Sequence, residues 1–179
     1  GQTIGVSVFV DRFVEDLELS RDQVSTAYLV GTLAGAALLP WVGRRIDRRG
    51  VRAAQIAIGA GFTLALVNMS LVMGLLWLAI GFAGIRFLGQ GSLSLVSTVT
   101  VSLAFRARRG TALGIFATVT AGLMALVPVG LSIVIDRIGW RQAWLVSAAV
   151  VALTVIPIAV FGLRSMPRGT ASSPAPGPR

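Results

Sequence analysis

The sequence contains no cysteine, no histidine and no lysine, and only 13% of its 179 residues are charged. Without cysteine and histidine, disulfide frameworks, thiol chemistry and His/Cys metal sites are excluded for this chain. Serine residues are present, but a serine nucleophile would lack the histidine base that normally activates it. We therefore expect no enzyme activity, no cofactor and no metal site.

The residues that are present are mostly apolar: 55% are hydrophobic and the mean hydropathy is +0.82. These values lie outside the range of ordinary soluble globular proteins. The formal net charge of +9 could indicate nucleic-acid binding, but the arginines fall in short clusters between apolar runs rather than along one soluble face. We therefore expect the lipid bilayer as the main surroundings and no nucleic-acid partner.

Long uncharged runs predict membrane-spanning helices, because about 20 apolar residues cross the hydrocarbon core of a bilayer. Residues 1–10 are apolar over half a span, so we expect the outer end of a helix that is truncated here. The prediction is an all-α, polytopic membrane helix bundle of six transmembrane helices in residues 1–164. The Pro/Ser/Gly/Ala-rich tail, 165–179, is predicted to be a disordered linker. The long runs are 23–43, 53–105 (two spans joined near Gly74, with Arg86 as the single charge), 110–135 and 142–163.

Charge in the links predicts the orientation of the bundle. The link after the second predicted helix, 44–52, contains five arginines and one aspartate, and the link after the fourth contains three arginines. The first link, 11–22, contains five acidic residues and two arginines. Because basic links stay on the cytoplasmic side, we expect a multi-pass cell-membrane protein whose basic loops and tail lie in the cytoplasm.

A hexapeptide of the pattern D-R-x-G-x-R occurs twice, as Asp-Arg-Arg-Gly-Val-Arg at 47–52 and as Asp-Arg-Ile-Gly-Trp-Arg at 136–141. The first copy follows the second predicted helix and the second copy follows the fifth. An offset of three helices places the copies on opposite sides of the membrane. This is the arrangement of an inverted repeat of three plus three helices.

Residues 43–52, Gly-Arg-Arg-Ile-Asp-Arg-Arg-Gly-Val-Arg, resemble the signature G-x-x-x-D-R-x-G-R-R of the major facilitator superfamily of secondary transporters, except that Val51 replaces a basic residue. Arg109-Gly110 with Ala112 and Gly114 is similar to the family's link into the fifth helix, and residues 139–141 to its entry to the sixth. The resemblance implies the N-terminal six-helix half of a twelve-helix transporter, with the missing C-terminal half as its partner.

Two features depart from the family pattern. Glycines expected at the fourth and sixth positions after the arginine of the fourth helix stand one place early, as Gly89 and Gly91. Around Pro128 the sequence lacks the preceding glycine that many exporters of the family carry in the fifth helix. The first departure affects the helix register near Arg86, and the second argues against an exporter.

By resemblance, the link after the second helix implies a conformational latch that favours one alternating-access state. Gly43 would allow a close helix approach and Gly50 the sharp turn into the third helix. Asp47 is poorly placed at the negative C-terminal end of its own helix unless a helix N-terminus in the absent half pairs with it. A simple topology anchor is the alternative. The candidate latch residues are Gly43, Asp47, Arg48, Gly50, Arg52 and, below the fourth helix, Arg106.

Arg86 is the candidate substrate or coupling residue, together with Gln90. It lies about 15 Å past Leu76 along a predicted helix, near the bilayer midplane. A charge there costs at least about 2.5 kcal/mol, so it should face a cavity or a partner. The alternative is an arginine satisfied by backbone carbonyls or Gln90 that ties helices together. Gly31-x-x-x-Gly35 also predicts a close contact with a neighbouring helix of the same bundle.

Together these features predict transmembrane transport of a small organic solute by alternating access. Arg86 favours an organic anion, as does a faint resemblance of Leu19-Ser20-Arg21 and Pro40-x-x-Gly43 to the monocarboxylate and oxalate/formate branch. A drug efflux pump is the alternative within the family. A non-transporting six-helix assembly or interaction protein is the alternative outside it.

Overall fold

The computed structural model describes residues 2–163; the side chains of residues 2–8, Arg45, Asp47 and Arg106 are outside the described set, as is the predicted linker 165–179. Within this range every regular element is a helix. Five helices, each of 23 to 30 residues, are long and apolar enough to cross a membrane, and the sixth, α1, has 15 residues. The helices are α1 (Gln2–Asp16), α2 (Arg21–Arg44), α3 (Arg48–Ser70), α4 (Leu75–Ala104), α5 (Arg109–Ile138) and α6 (Trp140–Gly162).

This arrangement confirms the predicted all-α membrane bundle, and local sequence signals set several helix ends. Ser20 caps α2: its hydroxyl accepts from the Gln23 N–H at 3.1 Å, and the Gln23 side chain accepts from the Ser20 N–H at 2.8 Å. The turn predicted near Gly74 is present, because α3 ends at Ser70 and α4 begins at Leu75. A single 3-10 turn, Arg106–Arg108, links α4 to α5.

The two hexapeptide copies share one backbone geometry. Helical hydrogen bonding continues from α2 into α3, and the dihedral angles leave the helical region at Gly50, near the start of α3, with φ 79° and ψ 160°. Gly139, between α5 and α6, has φ 84° and ψ 161°. Residues with a side chain rarely adopt this region, so each copy uses its glycine to turn one helix into the next. The prediction that Gly50 permits the turn into the third helix is confirmed.

The second copy lies at the end of the bundle that carries the first link, which we call the acidic end. Asp136 pairs with Arg12 of α1 at 3.7 Å, and the Trp140 indole N–H donates to the Asp16 carboxylate. Arg141 donates to the Ser70 carbonyl at 2.9 Å, where α3 ends. This copy therefore ties α5 and α6 to the ends of α1 and α3.

The first copy lies at the opposite end, which we call the arginine-rich end. Val51 is buried there in an apolar cluster that includes Val96 of α4 and Leu163, the residue after α6. This packing accounts for the departure from the family signature at Val51, because an arginine would bring a charge into an apolar cluster. The two copies thus occupy opposite ends, as the inverted repeat predicts.

A larger apolar core fills the half of the bundle towards the acidic end. Aromatic rings from α1, α4 and α6 meet in it. Phe9 is stacked on Trp144 with centroids 4.3 Å apart, and Phe13 makes edge-to-face contacts with Trp140 at 5.2 Å and Phe82 at 6.0 Å. Each such pair adds about 0.5–1.5 kcal/mol beyond its buried area. These ring contacts hold α1 against α4 and α6.

Candidate functional site

Arg86 lies inside a membrane-spanning helix. It is half-buried and stands about 16 Å along α4 from Leu75 at 1.5 Å per residue, close to the middle of a 30-residue helix. Charged residues at such a depth are rare and are usually tied to a ligand pathway or to another element of the bundle. Its surroundings therefore define the candidate site.

Two glycines bring α2 against α4 at this level. A Cβ atom on Gly31 would lie 2.7 Å from the Ala83 nitrogen, and one on Gly35 would lie 3.0 Å from the Phe87 nitrogen. The distance at Gly31 is too short for a side chain, and the distance at Gly35 is tighter than most Cβ contacts, so glycine at both places permits the close approach of the two backbones. The predicted packing of the Gly31-x-x-x-Gly35 segment within the bundle is confirmed.

The close approach places the Arg86 guanidinium in contact with side chains of both α2 and α4. Its Nε donates to Thr32 Oγ1 at 3.0 Å, and its NH1 donates to Gln90 Oε1. Its Cζ lies 5.1 Å from the centroid of the Tyr28 ring, a cation–π contact. Thr32 donates in turn to the Tyr28 carbonyl at 2.8 Å, which fixes the hydroxyl that Arg86 uses. These partners orient the guanidinium and carry no negative charge.

These contacts also show that Arg86 connects α2 to α4, and Gln90 is one of its partners. That is the arrangement expected of an arginine that ties helices together. The same contacts also hold the Arg86 guanidinium in one orientation inside the span.

The helix is π-helical from Ile85 to Leu93, around Arg86. The Ser92 hydroxyl donates to the Phe87 carbonyl, five residues earlier, at 2.7 Å. Hydrogen bonds in a π-helix span one residue more than in an α-helix, so spacing counted on α-helical geometry misplaces the residues after Arg86. Gly91 still faces α2, where a Cβ atom would lie 2.5 Å from Leu39 Cδ2. The glycine pattern that is displaced by one place thus coincides with a local change of helix type.

The structure describes the surroundings of four candidate latch residues, and their role as a latch stays a prediction. Gly50 is buried at the turn, Arg48 is exposed, and Arg52 is half-buried with a buried Nε that has no hydrogen-bond partner among the described residues. A Cβ atom on Gly43 would meet nothing within 4 Å in the described bundle, so the close helix approach expected at Gly43 stays a prediction about the second half. The side chains of Asp47 and Arg106 lie outside the described set.

Sequence reasoning did not single out Thr32 and Tyr28. Their positions give a signal in retrospect, because Tyr28, Gly31, Thr32 and Gly35 recur at helical spacing on one face of α2. Because the glycines on this face allow a close helix contact, polar side chains on the same face lie against the neighbouring helix. Acidic clusters give no comparable site, since the described part of the chain holds no group of three acidic side chains suited to a metal ion.

The fold and the site together define a polytopic membrane protein with an oriented cation inside its span. A family model described as Major Facilitator Superfamily matches residues 2–179, so the chain belongs to that family. Its members are membrane transporters and not enzymes. No curated protein and no solved structure matches the chain.

Proposed function

We propose that this chain is one six-helix half of a secondary active transporter that moves a small organic anion by alternating access. The second half, a further six-helix bundle, would complete the pathway and lie beside it in the cell membrane, with the arginine-rich end in the cytoplasm. The observation that carries the proposal is the oriented guanidinium of Arg86 inside α4.

The chemistry of Arg86 favours an anionic substrate. A guanidinium matches a carboxylate in planar, two-bond geometry, which an ammonium group cannot reproduce. Attraction between opposite charges is also much stronger inside the membrane span than in water. Thr32, Gln90 and Tyr28 are neutral and orient the group, so a bound carboxylate would meet a preorganised guanidinium.

Substitution of Arg86 in the full-length transporter, reconstituted in liposomes, tests this proposal. Uptake of a panel of radiolabelled mono- and dicarboxylates is measured for wild type, Arg86→Lys and Arg86→Gln. Because a charge-assisted hydrogen bond contributes about 1.5–3 kcal/mol, we expect Arg86→Gln to raise KM about 10- to 100-fold. Arg86→Lys should lie between the two, since it keeps the charge and loses the planar geometry.

Arg108→Gln is the matched control, because Arg108 is exposed in the 3-10 turn at the arginine-rich end. It should leave KM unchanged. Size-exclusion profiles in detergent check that each variant is folded. Unchanged rates and KM in both Arg86 variants would refute the binding role and leave the arginine as a tie between α2 and α4.

We further propose that the arginine-rich end forms a latch with the second half through Gly43, Asp47, Arg48, Gly50, Arg52 and Arg106. The buried Arg52 Nε without an acceptor in the described bundle supports this, because an unsatisfied buried donor favours a state in which a partner reaches it. Asp47→Ala should abolish uptake while the amount of transporter at the cell surface stays normal. Normal uptake in this variant would reduce the segment to a topology anchor.

A further inference from the structure

A groove with an arginine at one end lies between α2, α3 and α4, at the arginine-rich end of the bundle. Its volume is about 220 Å³. Arg49 is the charged residue of the described lining, and the other lining residues are apolar. They include Trp41 of α2, Ala57 and Ile58 of α3, and Leu88 of α4. The groove therefore combines a cationic end with an apolar body.

The groove follows one leaflet of the membrane. Arg49 precedes the turn at Gly50, and Ile58 lies about 12 Å along α3 from that glycine. Phe87 and Leu88, which follow Arg86 near the middle of α4, line the inner part of the groove. Half of a hydrocarbon core about 30 Å thick is about 15 Å. Arg49 thus stands at the level of the lipid headgroups, and the apolar lining lies at the level of the acyl chains.

The groove is open to the hydrocarbon along its side. Ala53 and Ala57, one helical turn apart on α3, are exposed, and Trp41 is 50% exposed. Ala54 and Ile58 of the same helix also line the groove and are buried. Part of an acyl chain can therefore enter the groove from the membrane without passing through the bundle.

The described side chains do not balance the positive charge at this end. Their ion pairs involve Arg12 and Arg21, both at the acidic end. Arginines close to a membrane surface attract anionic lipids, and a choline or ethanolamine headgroup would add a further cation. Charge complementarity therefore favours a lipid with a net negative headgroup. The described arginines that are exposed at this end are Arg44, Arg48, Arg49, Arg108 and Arg109.

We propose that this groove binds an anionic membrane phospholipid, with its phosphate group on Arg49 and part of one acyl chain along Ala53 and Ala57. A guanidinium donates two parallel hydrogen bonds to phosphate oxygens, which fixes the headgroup. The groove is smaller than sites that enclose a whole small molecule, about 300–1,000 Å³, so the rest of the lipid stays in the bilayer. The site does not depend on what the transporter carries.

Native mass spectrometry of the purified full-length transporter in a non-ionic detergent tests the proposal. The protein is titrated separately with dioleoyl phosphatidylglycerol and dioleoyl phosphatidylcholine, which share their acyl chains and differ in headgroup charge. The first lipid bound should have a dissociation constant about 5- to 25-fold lower for phosphatidylglycerol, as expected for one or two arginines near the headgroup. Equal constants, as expected if the second half covers the groove, would overturn the proposal.

Arg49→Gln should weaken phosphatidylglycerol binding about fivefold. Arg108→Gln is the matched control, because it removes the same charge from an exposed arginine at the same end, outside the described lining. Its affinity should stay within about twofold of wild type. Equal losses in the two variants would mean that diffuse surface charge attracts the lipid, and an unchanged affinity in Arg49→Gln would refute the assignment of the phosphate to Arg49.

Ala57→Phe tests the position of the acyl chain, since its ring would occupy the groove. Displacing two or more methylene groups should weaken phosphatidylglycerol binding at least about tenfold. Ala149→Phe is the matched control: Ala149 is exposed on α6 and stands outside the described lining, so affinity should persist. Size-exclusion profiles check that each variant is folded. Full binding in Ala57→Phe would contradict the proposal, and so would displacement of the lipid by an equal concentration of inorganic phosphate, which would indicate a site for a soluble anion.

Discussion

Replacing Gly139 with alanine isolates the energetic role of the repeated hexapeptide. Gly139 has φ 84° and ψ 161°, a region that is essentially restricted to glycine. An alanine held there costs about 1–3 kcal/mol of backbone strain. Space is not the obstacle, because the nearest atom to an added Cβ is the flexible Gln142 Oε1 at 3.2 Å. The predicted loss therefore comes from the dihedral angles.

The assay is the free energy of unfolding of the purified transporter in mixed micelles, from a denaturant titration. Gly122→Ala is the matched control, since Gly122 lies within α5 and an added Cβ would meet nothing within 4 Å. Alanine there should leave stability unchanged or raise it by up to about 1 kcal/mol. Gly50→Ala should resemble Gly139→Ala, because Gly50 has nearly the same φ and ψ. If Gly139→Ala is as stable as Gly122→Ala, the strain argument fails.

Three further variants test contacts between helices. Gly31→Ala should destabilise the bundle by about 1–3 kcal/mol through overpacking against the α4 backbone. Gly43→Ala should not change the stability, because an added Cβ there meets open space. Equal effects of the two variants would contradict the close approach of α2 to α4. Trp140→Phe should cost about 1 kcal/mol through loss of the indole hydrogen bond to α1, and no loss would show that bond to be unimportant. The side chains of the Arg12–Asp136 pair are 47% and 70% exposed. Their coupling energy in a double-mutant cycle should therefore be below about 1 kcal/mol. A larger coupling energy would mean that solvent screens this ion pair less than its exposure implies.

The helices and their turns could be predicted from the sequence, because apolar runs and punctuating glycines act locally. Uncharged stretches gave the spans, and Gly74 and Gly50 stand where the chain turns. The repeated hexapeptide predicted opposite ends for its two copies. That prediction holds because three spanning helices separate the copies, and each span carries the chain to the opposite end.

The site around Arg86 was predictable only in part. The charge itself and its partner Gln90 are visible as an arginine and an amide one helical turn apart in an apolar run. Thr32 and Tyr28 reach it from another helix, so their roles depend on how α2 and α4 pack. The π-helical segment leaves no compositional mark that distinguishes it from α-helix. A Cβ atom on Gly43 would meet nothing within 4 Å, so a close approach there would have to come from the second half.

The bond between Trp140 and Asp16 has a consequence for biosynthesis. The two residues are separated by 124 positions in the chain. At a synthesis rate of about 5–20 residues per second, roughly 6 to 25 s pass between the emergence of the two. During that interval α1 is in place without the aromatic and polar contacts that α6 later supplies. The bundle therefore cannot complete its packing around α1 before α6 is synthesised. A ribosome that stalls before α6 leaves α1 in the membrane without these contacts.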